Sequence, residues 1–127
     1  MATDYRWIEE RTYFGPMMSQ DLIAAPILDL GPHGVAHVSI YCKSKGSSSV
    51  SYYLETAIAD DPSMWTRATD TFAFASGSKR QIVLKASSTT YSSGILERYI
   101  RLVVVPDVNE TWWATVQAEV TGHDNPA

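Results

Sequence analysis

Clusters of turn-forming residues interrupt this sequence at regular intervals, at residues 31–34, 43–49, 59–63, 75–79, 86–94 and 106–110. The segments between them are short and rich in Val, Ile, Tyr, Thr and Trp, which favour the pleated, half-buried surface of a β-sheet. We therefore predict strands at 22–30, 35–43, 49–58, 65–74, 80–86, 96–105 and 111–121. They indicate an all-β fold, an antiparallel jelly roll or β-sandwich of about seven or eight strands.

Several of these strands alternate between apolar and polar residues, as expected when one face is buried. The apolar faces are Ala36, Val38, Ile40 and Cys42; Val50, Tyr52, Leu54, Thr56 and Ile58; and Trp112, Ala114, Val116, Ala118 and Val120. Strand 96–105 differs, because Ile100, Leu102 and Val104 form one apolar face and Tyr99, Arg101, Val103 and Val105 form a second. We expect that second face to be covered, either by the N-terminal part of this chain or by another protein.

An aromatic-rich segment precedes the first predicted strand, with Tyr5, Trp7, Tyr13 and Phe14 among its residues. We interpret residues 1–20 as an extended arm, 21–123 as the sandwich domain and 124–127 as a short tail. The arm either folds back over its own sandwich or reaches a neighbouring subunit, since aromatic side chains are favoured interface anchors. A short helix within the arm is an alternative.

Charge and composition exclude several classes of partner. The net charge is −4 and the ten basic residues are scattered, which argues against nucleic-acid binding. We also expect no membrane partner and no signal peptide, because no long apolar run is present. With one cysteine, Cys42, no internal disulfide can form, and we expect synthesis in a cytoplasm.

Catalytic chemistry has little support. His33, His37 and His123 lack the spacing of a helical metal-binding pair, and the pair Asp60-Asp61 precedes a proline in what we interpret as a solvated turn. No recognisable motif places an acid or a base beside a nucleophile. We predict a non-enzyme with no catalytic residue, no cofactor and no metal site, and we expect no small-molecule ligand.

Four segments resemble a known family: "APILDLGP" (25–32), "SVSYYLETAIADDPSMW" (49–65), "LERYIRLVVV" (96–105) and "WWATVQAEVTGH" (112–123). Together they are similar to phage capsid cement (decoration) proteins of the Bbp16-like jelly-roll family. The resemblance implies a virion structural protein that is made in the host cytoplasm, binds the major capsid protein on the outer capsid surface and forms a homo-oligomer, a dimer or a trimer. The resemblance implies no catalytic residue.

The candidate residues for a capsid or subunit interface are Tyr5, Trp7, Tyr13, Phe14, Tyr99, Arg101 and Trp113. Arg101 could bind a carboxylate of the partner in a bidentate manner. Its alternative role is a cross-strand pair with Glu119 or another acid on the neighbouring strand. Trp113 stands out as an aromatic residue on the otherwise polar face of the last strand.

Two other functions stay open. One is a different virion β-sandwich, such as a head–tail or tail protein. The other is a carbohydrate-binding module, in which sugar rings would stack on Trp65, Trp112 and Trp113.

Overall fold

Nine strands and one short 3₁₀ helix make up the regular structure of the part of the chain that the computed structural model describes, residues 5–15, 22–29, 34–47, 49–106 and 112–123. The strands are β1 (Tyr5–Gly15), β2 (Leu22–Asp29), β3 (Val35–Lys45), β4 (Val50–Ala57), β5 (Thr66–Arg67), β6 (Phe72–Ala73), β7 (Ser78–Lys85), β8 (Tyr99–Pro106) and β9 (Trp112–His123). The 3₁₀ helix spans Tyr91–Ser93. Among these residues no helix is long and apolar enough to cross a lipid bilayer.

The strands form two antiparallel sheets. The first sheet has the order β1-β9-β3-β7, and the second has the order β2-β8-β4-β5, with β6 also paired to β4. From β1 to β4 successive strands alternate between the sheets, and β7, β8 and β9 alternate again. This interleaving of two sheets is the jelly-roll arrangement, and the predicted all-β sandwich is confirmed.

The N-terminal segment differs from the predicted arm. Residues 5–15 form β1, an edge strand that pairs with β9 along its whole length, from Tyr5 opposite Gly122 to Gly15 opposite Trp112. They are neither a helix nor a cover for β8, which lies in the other sheet. The boundary that we drew at residue 20 therefore separates two strands of one sandwich. Residues 1–4, 16–21 and 124–127 lie outside the described part of the chain.

The predicted strand 65–74 is replaced by the two short strands β5 and β6. Between them the ladder is interrupted at Thr69, whose side-chain oxygen accepts a hydrogen bond from the Leu54 main-chain N–H at 3.1 Å. Thr69 is 2% exposed. A buried hydroxyl thus takes the place of a main-chain carbonyl as the hydrogen-bond acceptor. Threonine side chains can compete with strand pairing in this way.

The core lies between the two sheets and contains the alternating residues that the sequence indicates. Ala36, Val38, Ile40 and Cys42 of β3, Val50, Tyr52 and Leu54 of β4, Ile100 and Val104 of β8, and Trp112, Ala114, Val116 and Val120 of β9 are each at most 4% exposed. Thr56 is buried as predicted, whereas Ile58 follows the end of β4 and is 61% exposed.

Two further residues hold the loop that precedes β8. The Thr56 hydroxyl is fully buried, donates to the Tyr99 carbonyl at 2.9 Å and accepts from the Glu97 N–H at 2.7 Å. Gly94 has φ +77°, and an added Cβ there would lie 2.2 Å from the Val83 carbonyl oxygen. Only glycine fits this approach of the loop to β7.

Both faces of β8 are covered. Ile100 and Val104 point into the core, and Val103, on the opposite face, is 2% exposed. The outer face of the second sheet therefore carries a partly buried layer, and the side chains on it form the candidate site.

Candidate functional site: an arginine–aromatic surface

A largely buried ion pair lies on the outer face of the second sheet. Glu55 of β4 stands directly opposite Arg101 of β8. Arg101 Nε and Nη2 lie 2.8 and 2.7 Å from the same carboxylate oxygen, Oε1 of Glu55. Arg101 thus has the cross-strand acid that we considered, but the acid is Glu55. Glu119 lies on β9, in the other sheet.

An indole ring covers this pair. The guanidinium carbon of Arg101 lies 4.0 Å from the centroid of a Trp65 ring, and Trp65 immediately precedes β5. The side chains of Arg101 and Glu55 are only 13% and 17% exposed. The cation is therefore held between a carboxylate and an aromatic face in a partly dry environment.

A second stack lies beside the first. Arg67 of β5 places its guanidinium carbon 4.5 Å from the ring centroid of Tyr53 and 5.1 Å from that of Tyr91. Its Nε donates to the Thr69 carbonyl at 2.7 Å, and its Nη2 contacts the Thr71 hydroxyl. These bonds fix the orientation of Arg67 before any partner arrives.

Tyr99 extends the row at the start of β8. Arg98 stacks on its ring at 5.2 Å and makes two hydrogen bonds, each 3.0 Å long, to the two carboxylate oxygens of Asp29. These hydrogen bonds to Asp29, together with the charge of its carboxylate, raise the pKa of the Arg98 guanidinium. This pair is half-exposed, so solvent and salt screen it strongly.

We call Tyr53, Trp65, Arg67, Tyr99 and Arg101 the arginine–aromatic surface. Each of the five is partly exposed, neither in the core nor fully in solvent. Trp, Tyr and Arg are the residue types that dominate binding energy at protein interfaces. Because the arginines are already held by neighbouring groups, this surface would lose little conformational freedom on binding.

Trp113 lies elsewhere. It is 41% exposed and belongs to β9 of the first sheet, where its main-chain carbonyl accepts a hydrogen bond from the Gly46 N–H at 3.1 Å. Trp112 is a core residue, 3% exposed. Trp65, Trp112 and Trp113 therefore do not form one platform for a sugar.

The N-terminal candidates all lie on β1, at the edge of the first sheet. The register sets Tyr5 opposite Gly122, Trp7 opposite Val120, Tyr13 opposite Ala114 and Phe14 opposite Trp113. Of the seven predicted interface residues, only Tyr99 and Arg101 are on the second sheet. The structure thus divides the predicted set between the two sheets.

Sequence reasoning missed Tyr53, Trp65 and Arg67 as parts of this surface, and it missed Glu55 as the partner of Arg101. The alternation of strand 49–58 already put Tyr53 and Glu55 on one outward face. The contact of Glu55 with Arg101 depends on the pairing of β4 with β8, in which the partner residues lie more than forty positions apart. A single sequence gives no direct signal for that register.

The groups considered for chemistry are dispersed. Among the described residues no three His, Cys, Asp or Glu side chains lie together as a metal site would require. His37 is exposed on β3, and His33 lies outside the described part of the chain. Asp61 Oδ1 accepts bonds from the Ser63 N–H and hydroxyl, and these bonds lower the pKa of Asp61. The acid pair thus forms part of an exposed turn.

Comparison with known proteins gives a likeness in fold. No protein family and no curated protein matches the sequence. A solved structure of Bacillus endospore appendages, described as a family of disulfide-linked pili, is similar over 97% of this chain and 92% of that chain, with a TM-score of 0.51 and 8% identity. A crystal structure of PirA covers 89% of this chain and 90% of its own, with a TM-score of 0.42 and 10% identity.

Proposed function

We propose that this chain is a capsid cement protein, a virion subunit without catalytic activity that binds the outer surface of an icosahedral phage capsid and stabilises the lattice. Its partners would be the major capsid protein and further copies of itself, as a dimer or a trimer. The resemblance in the sequence suggests this function. The position of the resembling segments in the fold adds to it.

Three of those four segments are neighbours in space. Residues 25–32, 49–65 and 96–105 contribute to β2, β4 and β8, which are adjacent strands in the second sheet. The two central strands of the second sheet, β8 and β4, carry Tyr53, Tyr99 and Arg101 on their outer face. The similarity to cement proteins is thus concentrated on one side of the sandwich.

The observation that carries the proposal is the arginine–aromatic surface itself. Trp65 and Arg101 are stacked at 4.0 Å, and Arg67 is held over Tyr53 at 4.5 Å. A protein that must bind a preformed lattice benefits from such a rigid surface, because each copy loses little entropy on docking. Contacts to several capsid subunits at once would then add by avidity.

The test is co-sedimentation of the purified chain with empty capsids of the phage that encodes it, with the bound copies counted against capsid protein on a calibrated gel. We expect saturation in proportion to the whole lattice, greater heat resistance of the capsids, and much weaker binding to unassembled capsid protein. Equal binding to lattice and free subunit would contradict cementing. Saturation at the few copies of a ring would favour a head–tail or tail protein.

Two tryptophan variants identify the face that binds. Trp65→Ala should weaken capsid binding by about 30-fold or more if Trp65 is a hot spot. Two variants serve as controls. Trp113→Ala makes the same change on the first sheet, and Met64→Ala alters an exposed residue next to Trp65 in the sequence. A loss with Trp113→Ala alone would move the contact to the first sheet.

A second candidate is a self-assembling fibre subunit, which the likeness to the endospore appendages favours. Those pili are disulfide-linked. The single cysteine of this sequence, Cys42, is 2% exposed, and burial raises the pKa of its thiol. A fibre of this chain would therefore need non-covalent contacts. Filaments formed by the purified chain alone, seen by electron microscopy, would support this candidate over the first.

A further inference from the structure

The side of the sandwich next to β7 is only partly closed. β7 is an edge strand of the first sheet, and β5 and β6 lie along one edge of the second. A groove of about 170 Å³ lies between these edges, and Ile82 and Val83 of β7, Phe72 of β6 and the loop segment 91–94 contribute to its lining. The edge of β7 therefore borders a space that another segment could enter.

The hydrogen bonds at the end of β7 show which of its main-chain groups face outward. The Lys85 N–H donates to the Gly94 carbonyl at 3.0 Å, and the Lys85 carbonyl accepts from the Leu96 N–H at 3.1 Å. Residues of an antiparallel strand point their main-chain groups alternately to one side and to the other. The other residues of β7 whose main-chain groups point away from β3 are therefore Val83, Gln81 and Lys79.

A loop of this chain already uses part of that edge. Ile95 forms a parallel bridge with the last residue of β7, and the Val83 carbonyl lies against Gly94. Before Gly94 the chain forms the 3₁₀ helix Tyr91–Ser93 and leaves the edge. Within the described part of the chain no other segment pairs with this side of β7. The edge from Lys79 to Val83, about 13 Å long, is thus available beside the groove.

We propose that this edge binds an extended acidic peptide of a partner protein, which adds to the first sheet as a further strand. Main-chain hydrogen bonds to Gln81 and Lys79 would supply affinity, and alternate side chains of the peptide would supply selectivity. One row of its side chains would lie beside Ile82 and Phe72 in the groove, which suits apolar residues. The other row would lie beside Lys79 on the outer face, which suits carboxylates.

The charges around β7 select an acidic strand. Its sequence, SKRQIVLK, contains Lys79, Arg80 and Lys85 and no acid. The adjacent strand β3 has no acid either, and Glu119 lies one strand further, on β9. Asp70 lines the groove and would repel a carboxylate there, which restricts the acidic side chains of the peptide to the outer face. A second copy of β7 would bring like charges together, so the same cations disfavour self-pairing.

One further contact prepares the edge for a peptide. Arg80 lines the groove, and its guanidinium carbon lies 4.3 Å from the centroid of the Phe72 ring. This stack holds a cation of β7 against β6 of the other sheet, so the groove is bounded by a fixed side chain. A peptide docking there would therefore order few side chains of β7.

The test is nuclear magnetic resonance titration of the ¹⁵N-labelled chain with the capped peptide Thr-Val-Glu-Val-Glu-Val-Thr. We expect saturable shifts of the amides of Gln81 and Val83 and a Kd of about 0.1–1 mM. Replacing both glutamates by glutamine should weaken binding at least about threefold, and replacing both by lysine at least about tenfold. Replacing the central valine by proline keeps the charge, removes a main-chain donor and should abolish binding. No saturable shifts with the glutamate peptide, or equal binding of the proline peptide, would overturn the proposal.

Two variants of the chain locate the added strand. Gln81→Pro removes an N–H that points away from β3, so pairing within the first sheet is kept, and it should abolish binding of the glutamate peptide. Lys79→Glu should narrow the tenfold preference for the glutamate over the lysine peptide to less than about threefold, and it serves if Gln81→Pro does not fold. Binding that persists in a folded Gln81→Pro, or an unchanged preference in Lys79→Glu, would refute the site.

The proposal does not rest on capsid binding, because the titration uses the purified chain and a synthetic peptide. Sedimentation of the chain alone over a range of concentrations tests the other possible occupant, a second copy. We expect no self-association through this edge. Self-association that Gln81→Pro abolishes would assign the edge to a second copy and overturn the proposal.

Discussion

Removing Arg101 alone should destabilise the protein more than removing Arg101 and Glu55 together. In Arg101→Met the Glu55 carboxylate loses its partner at 17% exposure, and the stack on Trp65 is lost as well. Breaking a fully buried pair from one side costs about 3–5 kcal/mol. Because some solvent reaches this pair, we expect a loss of about 2–3 kcal/mol in the free energy of unfolding.

The reciprocal variant Glu55→Leu leaves the arginine cation without its carboxylate and should cost a similar ~2–3 kcal/mol. The double variant replaces both charges by apolar groups of similar volume, so its loss should be only ~1 kcal/mol. The two changes would then be coupled by about 3–5 kcal/mol, which is large for a single pair.

Urea unfolding followed by tryptophan fluorescence measures all four proteins of this cycle. Arg98→Met is the matched control, because its pair with Asp29 is half-exposed, and we expect no measurable loss. If both single variants unfold like the parent protein, or if the losses add in the double variant, Glu55 and Arg101 are not a buried unit and the surface is not preorganised as we describe.

Three further predictions concern stability. Burial raises the pKa of Tyr52 to about 12, although a hydrogen bond from Arg80 acts in the opposite direction. The contribution of the neutral Tyr52 hydroxyl to stability is therefore fully present below the ordinary tyrosine pKa of about 10, and it is lost as the pH rises to about 12, at about 1.4 kcal/mol per pH unit. Tyr52→Phe should flatten this alkaline decline in urea titrations, and an unchanged slope would contradict the assignment. Gly94→Ala should lower the free energy of unfolding by at least ~2 kcal/mol, because of the positive φ and the clash with the Val83 carbonyl, and the loss should appear as a lower thermal midpoint. Gly77→Ala is the control and should cost less, because Gly77 has φ +76° but open space around an added Cβ. Thr56→Val removes a buried hydroxyl with two main-chain partners and should cost about 1–3 kcal/mol by urea unfolding; a neutral result would mean that those main-chain groups find other partners.

The fold class could be predicted because strand alternation and turn chemistry are local signals. The apolar positions of β3, β4 and β9 follow a period of two and are buried accordingly. β1 was missed, since Arg6, Glu9, Glu10 and Arg11 break any simple alternation. Its pairing with β9 joins opposite ends of the sequence, and no local pattern reports such a contact.

The candidate surface was predicted only in part, for a related reason. Tyr99 and Arg101 were recognised because an arginine on a doubly apolar strand is conspicuous. Glu55 and Trp65 contact Arg101 only because β4 and the residues before β5 lie against β8 in the folded protein. The residue types were visible in the sequence, but their juxtaposition depended on the order of strands in the sheet.

The position of β9 between β1 and β3 has a consequence for synthesis. β9 is the last of the described strands to leave the ribosome, yet it is the only described strand with which β1 pairs. At roughly 5–20 residues per second, β1 waits for seconds with both edges unpaired, long enough for chaperones or other nascent chains to bind it. The first sheet can therefore be completed only after β9 has left the ribosome, and a ribosome that stalls before residue 112 would leave β1 unpaired.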